Sequence, residues 1–225
     1  MEVLVPFSTT DPKSRLSEVL DPNERRAFAH SMLADVVDAV RACGGDPYVL
    51  ATAPIELEIS GGCTDPDLSN VPVVVDDRPL TSAVNDVLRN GTSQDGVTTV
   101  DTSPTAVIMA DLALVTPEVL SRFLDTDGDV VIAPGRGGGT NALVVRHPEF
   151  RVDYHGASYL DHLRISDDIG ASVNVFDSHR LASDVDTPTD LVEVVVHTDG
   201  RAADWLREAG FELDRSDGRV DVDRP

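Results

Sequence analysis

One lysine, Lys13, stands among the 18 basic residues of this 225-residue chain; the other cations are arginines, against 40 aspartates and glutamates. That scarcity of cations excludes a nucleic-acid or anionic-membrane partner, because both require clustered positive charge. Cysteine is equally scarce. Cys43 and Cys63 have neither metal-ligand spacing nor the density of a disulfide framework, so buried free thiols are expected. No apolar run approaches the ~20 residues that span a bilayer. The N-terminus enters a strand-like run, Val3-Leu4-Val5, without the basic region of a secretory leader, and a cytoplasmic location is expected.

What is present in excess is carboxylate. A formal charge of −22 with almost no lysine suits a protein kept soluble in molar salt, where the Debye length falls to ~3 Å and self-repulsion is screened. Hydrophobic residues make up 41% of the chain, enough for a packed α/β globule.

Periodicity alternates strands with helices. Short apolar strands are predicted at Val3–Val5, Tyr48–Leu50, Val71–Val75, Ala106–Ala110, Asp129–Ala133, Ala142–Val145 and Ser172–Phe176. Asp21-Pro22-Asn23-Glu24 reads as a capping box opening a helix that Gly44-Gly45 stops. Helices are also predicted from Leu80, Thr116, Ser158, Thr187 and Ala202. The pattern is that of a mostly parallel, doubly wound α/β sheet in one domain, residues 1–198. Residues 199–225, rich in Asp, Arg and Gly, read as an acidic C-terminal appendage and not a second domain.

In such a sheet, ligands sit beyond the carboxyl ends of the strands, where four segments would converge. The turn after the first strand carries Lys13 and Arg15, a point charge and a planar fork able to neutralise a polyphosphate. Asp111 ends a buried apolar strand and can ligate magnesium bound to phosphates, or simply terminate the strand. Gly135-Arg136-Gly137-Gly138-Gly139-Thr140 can present amides and a hydroxyl to an anion, or serve as a hairpin linker. It lacks both the Walker spacing and the dinucleotide fingerprint. Asp184 and Asp186, two apart before a helix, can share a metal with Asp111 or face solvent. Less pointed are Ser158 and His162, at i and i+4 after Tyr154-His155-Gly156, where a helix N-terminus can hold an anion. The other histidines show no partner pattern, and no nucleophile triad is evident.

Taken in order, these motifs resemble the 2-phospho-L-lactate guanylyltransferases, a family with the nucleotidyltransferase (GT-A-like, Rossmann-like) fold. The resemblance runs from Val5 to about Val194. It rests on Pro6-Phe7 leading to Lys13-Ser14-Arg15-Leu16, on Ala110-Asp111-Leu112, on Ala133-Pro134 to Thr140-Asn141, on Ser158 with His162, and on Asp184-Val185-Asp186-Thr187-Pro188 with Asp190. Departures are Ala113 and Gly135, where the family favours proline and an acidic residue, and the shifted Tyr154-His155-Gly156 step. The resemblance implies GTP as donor, 2-phospho-L-lactate or phosphoenolpyruvate as acceptor, a product of coenzyme F420 biosynthesis, and a homodimer. It places Mg2+ on Asp111, Asp184 and Asp186, with Lys13 and Arg15 on the triphosphate. Thr140, Gly156 and Ser158 would hold the acceptor, and Asn85 would touch the nucleotide. A cytidylyl- or uridylyltransferase for another phosphorylated acceptor, and a non-catalytic nucleotide-binding regulator, share the same fold-level features.

Overall fold

The computed structural model describes residues 1–55, 58–59, 63–64, 68, 70–91, 104–215, 218 and 220–224. In chain order the strands are β1 (Glu2–Phe7), β2 (Asp46–Ala51), β3 (Glu58–Ile59), β4 (Cys63–Thr64), β5 (Val73–Val75), β6 (Thr105–Ile108), β7 (Val130–Pro134), β8 (Thr140–Val145), β9 (Val173–Val175), β10 (Glu212–Asp214) and β11 (Asp221–Asp223). The helices are α1 (Pro22–Ala42), α2 (Leu80–Asn90), α3 (Pro117–Leu124), α4 (Ser158–Asp168), α5 (His179–Ala182), α6 (Leu191–His197) and α7 (Arg201–Glu208). Single 3₁₀ turns cover Ser14–Leu16 and Pro188–Asp190.

Seven strands form one sheet in the order β5-β2-β1-β6-β8-β7-β9. Every pairing is parallel except the two made by β8, which runs antiparallel to β6 and β7. The pleat sorts the strand residues between two helical layers. Val3, Val5, Ile108, Val131 and Val144 face one layer with α1, α3, α6 and α7, while Leu4, Val107, Ile132 and Leu143 face the other with α2 and α4. The near-continuous apolar strands are therefore buried on both faces, as predicted.

The predicted caps are present. Asp21 Oδ1 accepts from the amides of Asn23 (2.7 Å) and Glu24 (2.9 Å), and Glu24 Oε2 accepts from the Asp21 amide at 2.9 Å. At the far end Gly44 takes φ +84°, the left-handed conformation glycine adopts without a Cβ penalty. The helix predicted from Thr187 is split into a 3₁₀ turn and α6. Asp190 draws the amides of Asp186 and Thr187 to one carboxylate oxygen, at 3.1 and 2.8 Å, and so tightens the first turn. Cys43 is a half-buried free thiol; the side chain of Cys63 lies outside the described residues.

Residues 201–211 of the C-terminal segment are part of the domain and not an appendage. Ala202, Ala203, Leu206 and Phe211 belong to the main core, and Trp205 packs against Phe28 of α1 with ring centroids 5.4 Å apart. Half-buried Asp35 on α1 caps α7 by accepting from the amides of Arg201 (2.7 Å) and Ala202 (2.9 Å). A Cβ on Gly200 would lie 2.7 Å from that carboxylate, which explains the glycine. The helix predicted from Ala202 is present; what the polar composition of the tail hid is that its apolar face completes the α1 layer.

The excess of carboxylate gives the first expected result. The thermal midpoint is expected to fall markedly between ~2 M and ~0.1 M potassium chloride, as the Debye length grows from ~3 Å or less to ~10 Å and like charges cease to be screened. Circular dichroism at both salt concentrations measures this; equal midpoints would sink the salt-dependence.

Candidate active site

The carboxyl ends of β1, β6 and β7 meet the start of antiparallel β8 along one edge, and the connection after β9 returns to it. At this edge lies a cleft of about 360 Å³, lined by Phe7, Ser8, Lys13, Arg15, Asp111 and Asp186 among others.

The turn after β1 is held rigidly. Leu16 is fully buried beneath it. Arg25, itself buried, reaches from α1 to the carbonyls of Pro12 and Leu20, both at 3.3 Å, and to the carboxylate of Asp11. Asp11 and Lys13 both adopt left-handed backbone, φ 43° and 54°. Such conformations are costly for residues other than glycine and are retained where surrounding structure enforces them, commonly at functional sites.

That turn aims Lys13 inward. Its ammonium donates to Asp111 Oδ2 at 2.6 Å and to Asp186 Oδ1 at 2.7 Å, while Arg15 donates to Asp186 Oδ2 at 3.0 Å. Burial opposes the charge on Lys13, but the two carboxylates outweigh it and hold the ammonium above its ordinary pKa. The lysine side chain is only 11% exposed, against 72% for Arg15, so one cation is enclosed between carboxylates and the other lies at the solvent edge. Asp111 follows β6, and its carbonyl accepts from the Val185 amide at 3.2 Å, which places the Asp184–Asp186 segment beside it. Asp184 Oδ1 accepts from Asn141 Nδ2 at 3.2 Å; the same Nδ2 donates to the Leu181 carbonyl at 2.9 Å. Buried Asn141 thus positions Asp184, a role that its glycine-rich sequence neighbours do not reveal. Gly135 is close-packed on that amide: a Cβ there would lie 2.5 Å from Asn141 Oδ1.

The fit of a divalent cation follows from these atoms. Asp111 Oδ1 is buried without a hydrogen-bond partner, while Oδ2 of the same carboxylate takes the Lys13 ammonium. The three carboxylates are the hard oxygen donors that Mg2+ takes. They do not form a closed set of three: among the described residues, the trio of ligating side chains lying within 4.8 Å of one another is elsewhere, at His179, Glu193 and His197. Lys13 instead stands between Asp111 and Asp186.

The residues expected at the acceptor gather as a second group. The glycine segment is a hairpin turn between β7 and β8, closed by Gly135 N–H donating to the Gly139 carbonyl (2.9 Å) and Gly138 N–H to the Gly135 carbonyl (3.1 Å). The Arg136 amide donates to the Ala182 carbonyl at 3.1 Å. Three of the amides expected to face an anion are therefore committed within the protein. The loop meets the first turn of α4, where Tyr159 N–H donates to the Gly138 carbonyl at 3.2 Å. Exposed Gly156 (φ +50°) and buried Ser158 lie at this junction. Thr140 is 4% exposed and its hydroxyl bonds to His162 Nδ1 at 2.9 Å, so it supports the helix from beneath. Asn85 is likewise engaged: its Nδ2 donates to the Val152 carbonyl and its Oδ1 accepts from the Val152 amide, both at 2.9 Å. It clamps the chain before α4 to α2 through one amide hydrogen and one oxygen lone pair, keeping a second of each.

His162 is fully buried. Its Nε2 accepts from the Asp153 amide at 3.0 Å, so the proton sits on Nδ1 and points to Thr140. Desolvation pushes its pKa down to about 4. The unfolded chain therefore binds this proton more readily than the folded one. The stability held by neutral His162 is complete above pH ~6.5 and is lost as pH falls toward ~4, a contribution of about 3 kcal/mol. The His162→Gln protein is expected to lose less stability than the parent between pH 7 and 4.5. Chemical denaturation at fixed salt compares the two; parallel pH dependences would remove His162 from the account.

A mixed sheet between two helical layers, with Lys13, Arg15 and three aspartates at its carboxyl edge, is an architecture shared with nucleotidyltransferases. The fold of a provisionally assigned nucleotide-diphospho-sugar transferase from Desulfovibrio desulfuricans is similar, with TM-score 0.70 at 15% identity over 92% of this chain and 94% of the other. A nucleotidyl transferase from Methanothermobacter aligns with TM-score 0.54 at 17% identity, over 92% and 99% of the two chains. Residues 1–224 match the guanylyl transferase CofC-like family, and the chain belongs to it. Its relatives include the 2-phospho-L-lactate guanylyltransferase of Halomicrobium mukohataei, 55% identical over the full length of both chains. The enzyme of that name from Halobacterium salinarum is 45% identical over 100% of this chain and 98% of its own.

Proposed function

We propose that this enzyme transfers the guanylyl group of GTP to (2S)-2-phospholactate, releasing pyrophosphate and forming lactyl-2-diphospho-5′-guanosine for coenzyme F420. The observation that carries the reading is the Lys13 ammonium held between Asp111 and Asp186 in a cleft at the carboxyl edge of the sheet. A phosphate oxygen of the acceptor attacks the α-phosphorus in line; the new P–O bond forms as the bond to pyrophosphate breaks. No covalent enzyme intermediate is required, because positioning and charge neutralisation lower the barrier. Lys13 supplies a fixed positive charge to the triphosphate, and exposed Arg15 swings onto the departing pyrophosphate. Asp111, Asp184 and Asp186 would hold Mg2+, which, when bound, screens the phosphate oxygens and polarises the α-phosphorus. The junction of Gly156, Ser158 and the glycine turn would orient the acceptor acid. The enzyme acts in the cytoplasm as a homodimer in this reading; light scattering in molar salt tests the dimer.

The deciding experiment incubates the enzyme with Mg2+, GTP and either phospholactate or phosphoenolpyruvate, and follows pyrophosphate release and the new diphosphate by phosphorus NMR. Product from GTP and phospholactate is expected, with CTP and UTP inactive. Product from phosphoenolpyruvate alone would move the acceptor assignment; none from any pair would sink the reading.

A further inference from the structure

We propose that His179, Glu193 and His197 form a zinc-class transition-metal site that clamps α5 to α6 across the loop carrying Asp184 and Asp186. The inference is independent of the reaction proposed above. His179 lies on α5, while Glu193 and His197 sit one turn apart on α6. Glu193 Oε2 is 3.1 Å from His179 Nε2 and 3.4 Å from His197 Nε2, and one ligand atom from each residue lies within 4.8 Å of the other two. Zinc bound to imidazole nitrogen and carboxylate oxygen at about 2.0–2.1 Å has a tetrahedral edge of about 3.3 Å. Two of the three edges are already at that length. The imidazole rings stand nearly perpendicular, 79° between planes with centroids 5.3 Å apart, so both Nε2 atoms converge on one carboxylate without stacking.

The backbone beneath is fixed independently of any metal. Arg180 donates to the carbonyls of Leu114 (2.7 Å) and His197 (3.1 Å), which sets α5 against the end of α6. Leu181, Leu191 and Val194 anchor the two helices in the core. Both histidines are about half exposed, so an ion can enter from solvent and keep a fourth position for water. Two imidazoles with one carboxylate select zinc, copper or nickel over magnesium, whose preference is for oxygen. The strongly acidic surface raises the local concentration of any cation. Residues 183–190 join the two clamped helices, so the ion would restrain the segment that presents Asp184 and Asp186.

The test titrates Zn2+ into the full-length protein in molar potassium chloride, in competition with a chromophoric chelator. Wild type is expected to bind one Zn2+ per chain, unaffected by excess Mg2+. Affinity should drop at least tenfold in His179→Ala and in Glu193→Gln, and at least a hundredfold in the His179→Ala/His197→Ala protein. Zn2+ should also slow amide hydrogen exchange across residues 183–190 in wild type but not in the double variant. The metal-free midpoint of the double variant, whose altered side chains are exposed, serves as the folding control. Equal Zn2+ affinity in wild type and a folded double variant would assign the binding to surface carboxylates and overturn the site. Tight binding without slowed exchange would overturn the clamp.

Discussion

Asp111→Asn is expected to reduce pyrophosphate release from GTP and phospholactate at least ~1000-fold, about 4 kcal/mol of transition-state stabilisation, while leaving the fold intact. The substitution removes one negative charge and changes little in shape. Asp111 follows a buried strand, its carbonyl still receives the Val185 amide, and Lys13 keeps its bond to Asp186. What disappears is the buried, unpartnered Oδ1 as an anionic ligand. Steady-state kinetics alongside thermal unfolding separates the two effects. Turnover at the parent rate in a folded variant would show that the carboxylate takes no part in the reaction.

Lys13→Met should act first on stability. It leaves the carboxylates of Asp111 and Asp186 facing the same space without their shared cation. Removing one partner of a buried pair costs about 3–5 kcal/mol, and because Asp186 is 35% exposed the lower end applies. Millimolar Mg2+ should then raise the midpoint of Lys13→Met more than that of wild type, since a divalent cation supplies the charge the ammonium no longer does. Differential scanning calorimetry with and without Mg2+ reads this directly. Equal responses would mean that Asp111 and Asp186 do not form a cation site. Lys13→Arg should not restore activity. A compact ammonium fits between oxygens at 2.6 and 2.7 Å, whereas a planar fork is too wide. This accounts for one lysine surviving in a chain whose other cations are arginines.

Those elements whose signals are local were legible in the sequence. The capping box at Asp21, the stop at Gly44 and the apolar strands obey rules that span a few residues. The same holds for the placement of Lys13, Asp111 and Asp186 at one edge, because a parallel sheet fixes where its carboxyl ends lie. What escaped depends on distant partners. The reversed direction of β8 follows from a tight glycine hairpin and not from any feature of its apolar residues. The neighbours of Thr140 and Asn85 in the sequence do not reveal their bonds to His162 and Val152. α7 looked like part of a tail, since its cap, Asp35, lies 166 residues away. The convergence of His179 on Glu193 and His197 likewise needs the turn between α5 and α6.

The lone lysine also makes the site a spectroscopic reporter without any engineering. Apart from the α-amino group of Met1, 3.7 Å from Asp46, Lys13 carries the chain's one primary amine. Expression with lysine carrying 15N at Nζ would therefore give one side-chain ammonium signal. That Lys13 signal would sense every change in the charge around Asp111 and Asp186.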